Sequence, residues 1–167
     1  MDAQTKAPVE EQKSPQELRS EMIENIRKII AKARICFLSN LSGRQLVSRP
    51  MYIQGTDFDG DLWFFTRRDS EKMAELKKDS RVSVSFSEKA FVSVSGRLEV
   101  VENELKKQKL WTKAMETFFG CPAEDPSVVL LRVQAETAQY WENTGSLGGL
   151  IKKVQSLDES QHSSVEL

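Results

Sequence analysis

Three polar residues that could hold a phosphate group follow one aromatic segment closely. The aromatic run 63–65 ends at Thr66, and Ser70 and Lys72 come next, where a short helix is predicted to begin. A strand that ends where a helix begins leaves backbone N–H groups without acceptors and directs the positive end of the helix dipole outward. Two hydroxyls and one ammonium add donors and charge at that point. The segment therefore predicts an anion site, most simply a phosphate site.

A cation lies in another apolar run earlier in the chain, where Arg49 is followed by Pro50, Met51 and Tyr52. A guanidinium binds phosphate through two parallel N–H groups. Taken alone, Arg49 is better explained by an ion pair with a neighbouring Asp or Glu. Considered together with the segment that ends in Lys72, it favours phosphate, and the two segments predict a site for a phosphorylated, planar aromatic cofactor.

Length and charge restrict the class of protein. The chain has 167 residues and a formal net charge of −1, which predicts one domain and gives no basic surface for nucleic acid. Its apolar runs are shorter than the ~20 residues of a membrane span, and the N-terminus lacks the apolar core of a signal peptide. We expect a cytoplasmic protein without a membrane partner, with one domain at 14–155 between flexible tails at 1–13 and 156–167.

Cysteine and histidine are scarce. Cys36 and Cys121 do not have the spacing of metal ligands, and His162 is the single histidine. A metal site and a histidine-based catalytic triad are therefore not expected. Any redox chemistry would come from a bound cofactor.

Three helices are predicted at the margins of a β-rich chain. The first helix begins at Ser14 with a capping box and Pro15 and ends near Lys32. The second helix covers 70–78. The third is predicted as one helix from an Asn103 cap to Phe119. The apolar stripe of the first helix is Leu18, Met22, Ile26, Ile29 and Ala33, and that of the third is Leu105, Leu110, Ala114 and Phe118.

The remaining periodicity is that of strands. The first three strands are predicted as an antiparallel meander, and the next two as a hairpin in which Gly96 marks a bulge. The absence of a βαβ rhythm favours a small antiparallel barrel of six or seven strands. The predicted strands are 34–39, 45–54, 62–66, 81–87, 91–95 continued by 98–101, 128–133 and 136–141, followed by a short segment at 150–154.

The order of these motifs resembles the flavin-binding split-barrel superfamily that contains pyridoxamine 5′-phosphate oxidase, and most of all the bacterial general stress proteins that bind FMN. The resemblance covers 23–141. It implies a six-stranded antiparallel split β-barrel with flanking helices and a homodimer with a flavin at each end of the interface. The motifs that carry it are Arg49-Pro50-Met51, 63–66, Ser70-Glu71-Lys72, 81–84 and Tyr140-Trp141.

The resemblance also implies roles for individual residues. Arg49 would bind the FMN phosphate, and the backbone of Pro50, Met51 and Tyr52 would meet the polar edge of the ring. Trp141 would close over the ring, although packing in the core explains this tryptophan equally well. FAD and the deazaflavin F420 are the alternative cofactors. The residues that would complete the phosphate site are Phe65, Thr66, Ser70 and Lys72.

The chain departs from the oxidase at positions that matter for its substrate. Glu71 stands where the oxidase has a basic residue, Gln54 where it has a lysine, and Phe91 where it has a glutamine. The Tyr-x-x-x-Arg-x-x-x-Ser set that holds the substrate has no counterpart at 102–120. We therefore do not expect pyridoxamine phosphate oxidation. Two hypotheses stay open: an FMN-dependent oxidoreductase, and a flavin-binding sensor or stress-response protein without turnover.

Overall fold

The computed structural model describes residues 12–143 and 150–157, so the predicted tails lie almost entirely outside the described residues. Within the described part, the chain forms four helices and seven strands. In chain order they are α1 (Pro15–Lys32), β1 (Ile35–Ser42), β2 (Gln45–Tyr52), β3 (Asp61–Arg67), α2 (Glu71–Lys78), β4 (Arg81–Ser87), β5 (Ala90–Val101), α3 (Glu104–Leu110), α4 (Lys113–Phe119), β6 (Val128–Asn143) and β7 (Leu150–Ser156).

All of these strands belong to one antiparallel sheet. Its order is β2-β1-β4-β5-β6-β3, and β7 pairs with β6. The two outer strands of this path meet at an isolated bridge between Gln54 and Trp63. The sheet therefore curls into an incompletely closed barrel, and the prediction of a mainly β, antiparallel fold is confirmed.

The prediction that the first three strands form a meander is wrong for β3. This strand pairs with β6, and Leu62 and Phe64 lie opposite Val133 and Leu131. The partner strand offers a matching apolar run, so the pairing buries apolar side chains against each other. The segment that follows β2 pairs with β3 through an isolated bridge between Gln54 and Trp63.

The hairpin of β4 and β5 and the bulge at Gly96 are confirmed. The register between β5 and β6 shifts between Ser95 and Gly96. A Cβ at this glycine would lie 2.0 Å from the carbonyl oxygen of Gln134, so no larger residue fits there. The two last predicted strands are one continuous strand, β6, and Glu136 is its extra residue opposite the step from Ser95 to Gly96.

Helix α1 begins as predicted. The Glu17 N–H donates to Ser14 Oγ at 3.3 Å, and the Ser14 N–H donates to the Glu17 carboxylate at 2.7 Å. The buried stripe contains Met22, Ile26 and Ile29, whereas Leu18 is 42% exposed, so the stripe begins one turn later than predicted.

The third predicted helix is two helices, α3 and α4. Thr112 caps α4 by accepting from the Met115 N–H, which ends the continuous helix and restarts the helical period. The predicted anchors Leu105 and Phe118 are consequently exposed, and Met115 is buried instead. Gly120 ends α4 in the left-handed conformation, which glycine adopts readily.

Two apolar clusters fill the molecule. The main core lies between the curled sheet and α1 and α2, and Phe64 is fully buried in it. A second cluster lies against α4 and consists of Phe65, Met115, Phe119, Val128 and Leu130. None of the described helices is long and apolar enough to cross a membrane.

Candidate functional site

A cavity of about 660 Å³ lies where the ends of β2 and β3 meet the start of α2 and one face of α4. Its size falls within the range of small-molecule sites. The lining residues are Ile35, Pro50, Met51, Tyr52, Gln54, Phe65, Thr66, Arg67, Asp69, Ser70, Lys72, Met115, Phe118 and Phe119.

Hydroxyl and ammonium groups converge at one end of this cavity. Lys72 Nζ donates to Thr66 Oγ1 at 2.8 Å, and Ser70 Oγ lies 3.4 Å from the same hydroxyl. Ser70 is the N-cap residue of α2, yet its side chain makes no cap hydrogen bond. The first N–H groups of a helix have no acceptor within the helix. This end therefore combines an ammonium, two hydroxyls and a helix N-terminus.

The ammonium of Lys72 is partly removed from water. Burial lowers the pKa of Lys72 from its usual value, and the charge of Arg49 lowers it further, while Glu75 acts in the opposite direction. A desolvated cation gains more from an anionic partner than an exposed cation does. The position is suited to a ligand that brings negative charge.

Apolar and aromatic side chains form most of the remaining lining. Phe65 meets Trp111 edge to face at 4.9 Å between ring centroids, and Trp111 stacks on Phe119 at 5.8 Å. Phe118 contacts Phe119 edge to face at 5.0 Å but is 77% exposed. Phe65, Phe118 and Phe119 line the cavity and form an aromatic wall, whereas Trp111 supports the wall without lining the cavity. The outer edge of this wall is open to water at Phe118, and its surface is suited to a planar ring.

Two polar groups fasten this wall to the strands. Arg67 Nη2 donates to the carbonyl oxygen of Phe119 at 2.7 Å, and its guanidinium lies 5.7 Å from the centroid of the Phe119 ring. The buried Gln54 donates from Nε2 to the Tyr52 carbonyl oxygen and to Met115 Sδ, both at 3.3 Å. The position of α4 over the cavity is thus set by β3 and by the end of β2.

Seven of the nine predicted cofactor-binding residues line the cavity: Pro50, Met51, Tyr52, Phe65, Thr66, Ser70 and Lys72. Phe64, the neighbour of Phe65 on β3, belongs to the main core instead. The residues of α4 that line the cavity were not predicted. A single helix from Asn103 to Phe119 would place Met115 and Phe119 outside its buried stripe. The only sequence signal for them was the aromatic pair 118–119.

Arg49 does not line the cavity. Its Nη1 and Nη2 donate to the two carboxylate oxygens of Glu75 on α2, each at 2.8 Å, and Nη1 also donates to Asn40 Oδ1 at 3.0 Å. The structure therefore shows the ion pair that the sequence offered as the alternative explanation. Arg49 nevertheless lies close enough to Lys72 for its charge to lower the pKa of Lys72.

Trp141 also lies outside the cavity lining of its own chain. It is half-buried in β6, where its backbone is opposite Phe91 of β5 and Lys152 of β7.

The sequence from residue 21 to residue 161 matches the family described as pyridoxamine 5′-phosphate oxidase like. The chain belongs to that family.

Individual proteins show how far the similarity extends. Protein bli-3 of Neurospora crassa is 31% identical over 121 residues, a match that covers 65% of this chain but 58% of that protein. The general stress FMN/FAD binding protein of Xanthomonas citri is 30% identical, with a TM-score of 0.68 and coverage of 77% of this chain and 93% of that one. A Clostridium acetobutylicum protein related to general stress protein 26 has the same fold at 18% identity, with a TM-score of 0.68 and coverage of 88% and 99%.

Proposed function

We propose that the cavity binds FMN, with the phosphate at the Lys72 end and the ring along the aromatic wall. One observation carries the proposal: a partly desolvated ammonium, two hydroxyls and a helix N-terminus meet at one end of a cavity whose remaining lining is mostly apolar, with Gln54, Arg67 and Asp69 as its other polar residues. A phosphate monoester carries a charge of about −1.5 to −2 at neutral pH. The X. citri relative, described as an FMN/FAD binding protein, supports a flavin as the ligand.

The residues present fit such a cofactor. Lys72 Nζ and Ser70 Oγ would contact the phosphate, and Thr66, which already accepts from Lys72, would orient the ammonium. Phe65, Phe118 and Phe119 would pack on the ring. Bound FMN would supply hydride or electron transfer, whereas the side chains of this chain hold the ring and exclude water from it.

A second copy of the chain would complete this site. The outer surface of β1, β4 and β5 carries a serine face, formed by Ser39, Ser83, Ser85, Ser93 and Ser95, and exposed apolar side chains lie at its border. Among these, Ile35 is 62% exposed, Phe37 55%, Tyr52 44% and Phe91 42%. Ile35 and Tyr52 also line the cavity. We infer a homodimer in which this face is covered and the open edge of the cavity is closed, with Trp141 of the second copy near the ring.

The reaction would be an oxidoreduction at the flavin. A flavin-binding sensor without turnover is the second candidate, because residues that bind the oxidase's substrate are replaced in this chain. Gln54 stands where the oxidase has a lysine, and its side chain already donates to Met115 Sδ and to the Tyr52 carbonyl oxygen. Reduction by NAD(P)H followed by reoxidation with an added acceptor separates the two candidates. Turnover supports the enzyme, and tight flavin binding without turnover supports the sensor.

Titration of the purified apoprotein with FMN, FAD and riboflavin tests the ligand and its orientation. Flavin fluorescence reports binding, and riboflavin differs from FMN only by the phosphate. Charge-assisted hydrogen bonds of about 1.5–3 kcal/mol predict that FMN binds about 10- to 150-fold more tightly than riboflavin. Equal affinity for the two would contradict the phosphate site, and no binding of any flavin would contradict the proposed function.

The homodimer is tested separately by light scattering on the native chain and on Phe37→Glu. Phe37 lies on the serine face but does not line the cavity. We expect a dimer for the native chain and a monomer for the variant, since the substitution would bury a carboxylate in the interface. A native monomer at micromolar concentration would contradict the dimer.

A further inference from the structure

Asn40, Arg49 and Glu75 form a closed network beside the proposed phosphate site. Arg49 donates to both carboxylate oxygens of Glu75, and Asn40 Nδ2 donates to Glu75 Oε2 at 2.9 Å. Asn40 accepts from Arg49 Nη1 and donates a further bond to the Leu41 carbonyl oxygen at 3.1 Å. Each of the three side chains therefore contacts both of the others.

This network is buried enough to be rigid. Asn40 is 2% exposed, and the side chains of Arg49 and Glu75 are 27% and 14% exposed. The three bonds to Arg49 take both N–H groups of Nη1 and one of Nη2, which leaves two of its five N–H groups. The guanidinium plane is consequently fixed, with its end directed at α2.

The hydrogen bonds from Arg49, followed by those from Asn40, lower the pKa of Glu75 to about 2. The carboxylate is therefore charged at neutral pH and holds the guanidinium through a paired, charge-assisted contact. For the phosphate of FMN to take the same edge of Arg49, it would have to displace this carboxylate and leave its charge unpaired.

The network connects three elements to the cavity indirectly. Asn40 lies on β1, Arg49 on β2, and Glu75 on α2 one turn after Lys72. None of the three lines the cavity, whereas Ser70 and Lys72 do. Because α2 has only eight residues, fixing Glu75 fixes the N-terminal turn that carries Ser70 and Lys72.

We propose that Asn40, Arg49 and Glu75 are positioning residues: they lock α2 to β1 and β2 so that its N-terminus, Ser70 and Lys72 meet the phosphate of the flavin. The inference rests on the proposed function. It assigns Arg49 an indirect role through Glu75, in place of the direct phosphate contact that the family resemblance implies.

A double-mutant cycle tests this assignment. FMN and riboflavin are titrated into the native apoprotein, Arg49→Gln, Glu75→Gln and the double variant. We expect each single variant to weaken FMN about 3- to 10-fold, and the double variant to be no weaker than the weaker single variant, because both changes break one unit. Riboflavin affinity should change less than about twofold. The selective loss of FMN is a result that general destabilisation would not produce.

Two further variants serve as controls. Lys77→Gln changes one charge at an exposed position of the same helix, at the end remote from Ser70, and we expect FMN affinity to stay within about twofold of the native value. Arg49→Lys keeps the charge but loses the paired donors. It should weaken FMN as Arg49→Gln does, and it keeps the test decisive if Arg49→Gln melts below the assay temperature.

Several outcomes would overturn the inference. If Arg49→Gln weakens FMN while Glu75→Gln leaves it unchanged or tighter, Arg49 is a direct ligand. If the variants lose affinity for FMN and riboflavin equally, the network has only a structural role. If the variants bind FMN as tightly as the native chain, the network does not contribute to the site. If the native chain does not bind FMN at all, the proposed function fails and takes this inference with it.

Discussion

Phe64 and Phe65 are neighbours on β3 and belong to two different regions of the molecule. Phe64 is fully buried in the main core, between the sheet and α1. Phe65 faces the other way, joins the second cluster, and forms part of the cavity lining. Successive side chains of a strand point to opposite faces, so one strand stabilises the fold with one face and shapes the site with the other.

The two regions also differ in how they are built. The main core is enclosed by paired strands and by α1, whose buried residues are at most 8% exposed. The cavity wall depends on the seven-residue helix α4, which is held by hydrogen bonds from Arg67 and Gln54 and ends in an exposed Phe118. We expect substitutions in the first region to change stability, and those in the second to change ligand binding.

The largest effect is expected for Phe64→Ala. Removing a fully buried phenylalanine costs about 3–5 kcal/mol of unfolding free energy. Chemical denaturation of the apoprotein measures this loss directly. A loss below about 1 kcal/mol would contradict the placement of Phe64 in the main core.

Lys72→Ala is expected to act on binding. The variant should lose about 1.5–3 kcal/mol of FMN binding free energy, because the ammonium at the polar end of the cavity is gone, and riboflavin binding should be unchanged. Fluorescence titration with both flavins is the measurement. Lys77→Ala, at an exposed position of the same helix, is the matched control and should bind both flavins as the native chain does.

Phe118→Ala sharpens the contrast between the two regions. Phe118 is 77% exposed, so stability should stay within about 0.5 kcal/mol of the native value. Loss of an aromatic contact should weaken FMN and riboflavin equally, by about 0.5–1.5 kcal/mol. Leu105→Ala, an exposed apolar residue of α3 outside the cavity lining, controls for lost apolar surface. A loss confined to FMN would contradict the placement of the ring at this wall.

The smallest expected effect is that of Glu75→Gln on how strongly acid destabilises the apoprotein. The lowered pKa of Glu75 means that its ionised form stabilises the folded state above pH 4.5, and that this contribution is lost as the pH falls towards 2. The melting temperature of the native chain should therefore fall more between pH 6 and pH 3 than that of the variant. Parallel acid profiles for the two proteins would contradict the depressed pKa.

Local signals were sufficient for much of the fold. The capping box of α1, the alternation in β4 and β5 and the glycine at the bulge are each determined by neighbouring residues, and the structure confirms them. The pairing of β3 with β6 joins segments that are distant in the chain, and no turn signal records it. The break at Thr112 was missed because no proline or glycine marks it.

The same distinction applies to the site. Thr66, Ser70 and Lys72 are close in sequence, so their spacing predicted that they meet. The roles of Phe65 and Arg49 depend on which face of a curled sheet each side chain takes and on what packs there. A positive charge in a strand attracts a phosphate and a glutamate alike, and only the position of α2 shows that Glu75 is the partner.

A crystal structure of the protein with FMN tests the central claim most directly. We expect the phosphate within hydrogen-bonding distance of Lys72 Nζ and Ser70 Oγ, with the ring against Phe65 and Phe119. A phosphate bound to Arg49 after displacing Glu75, or a flavin bound outside this cavity, would contradict it.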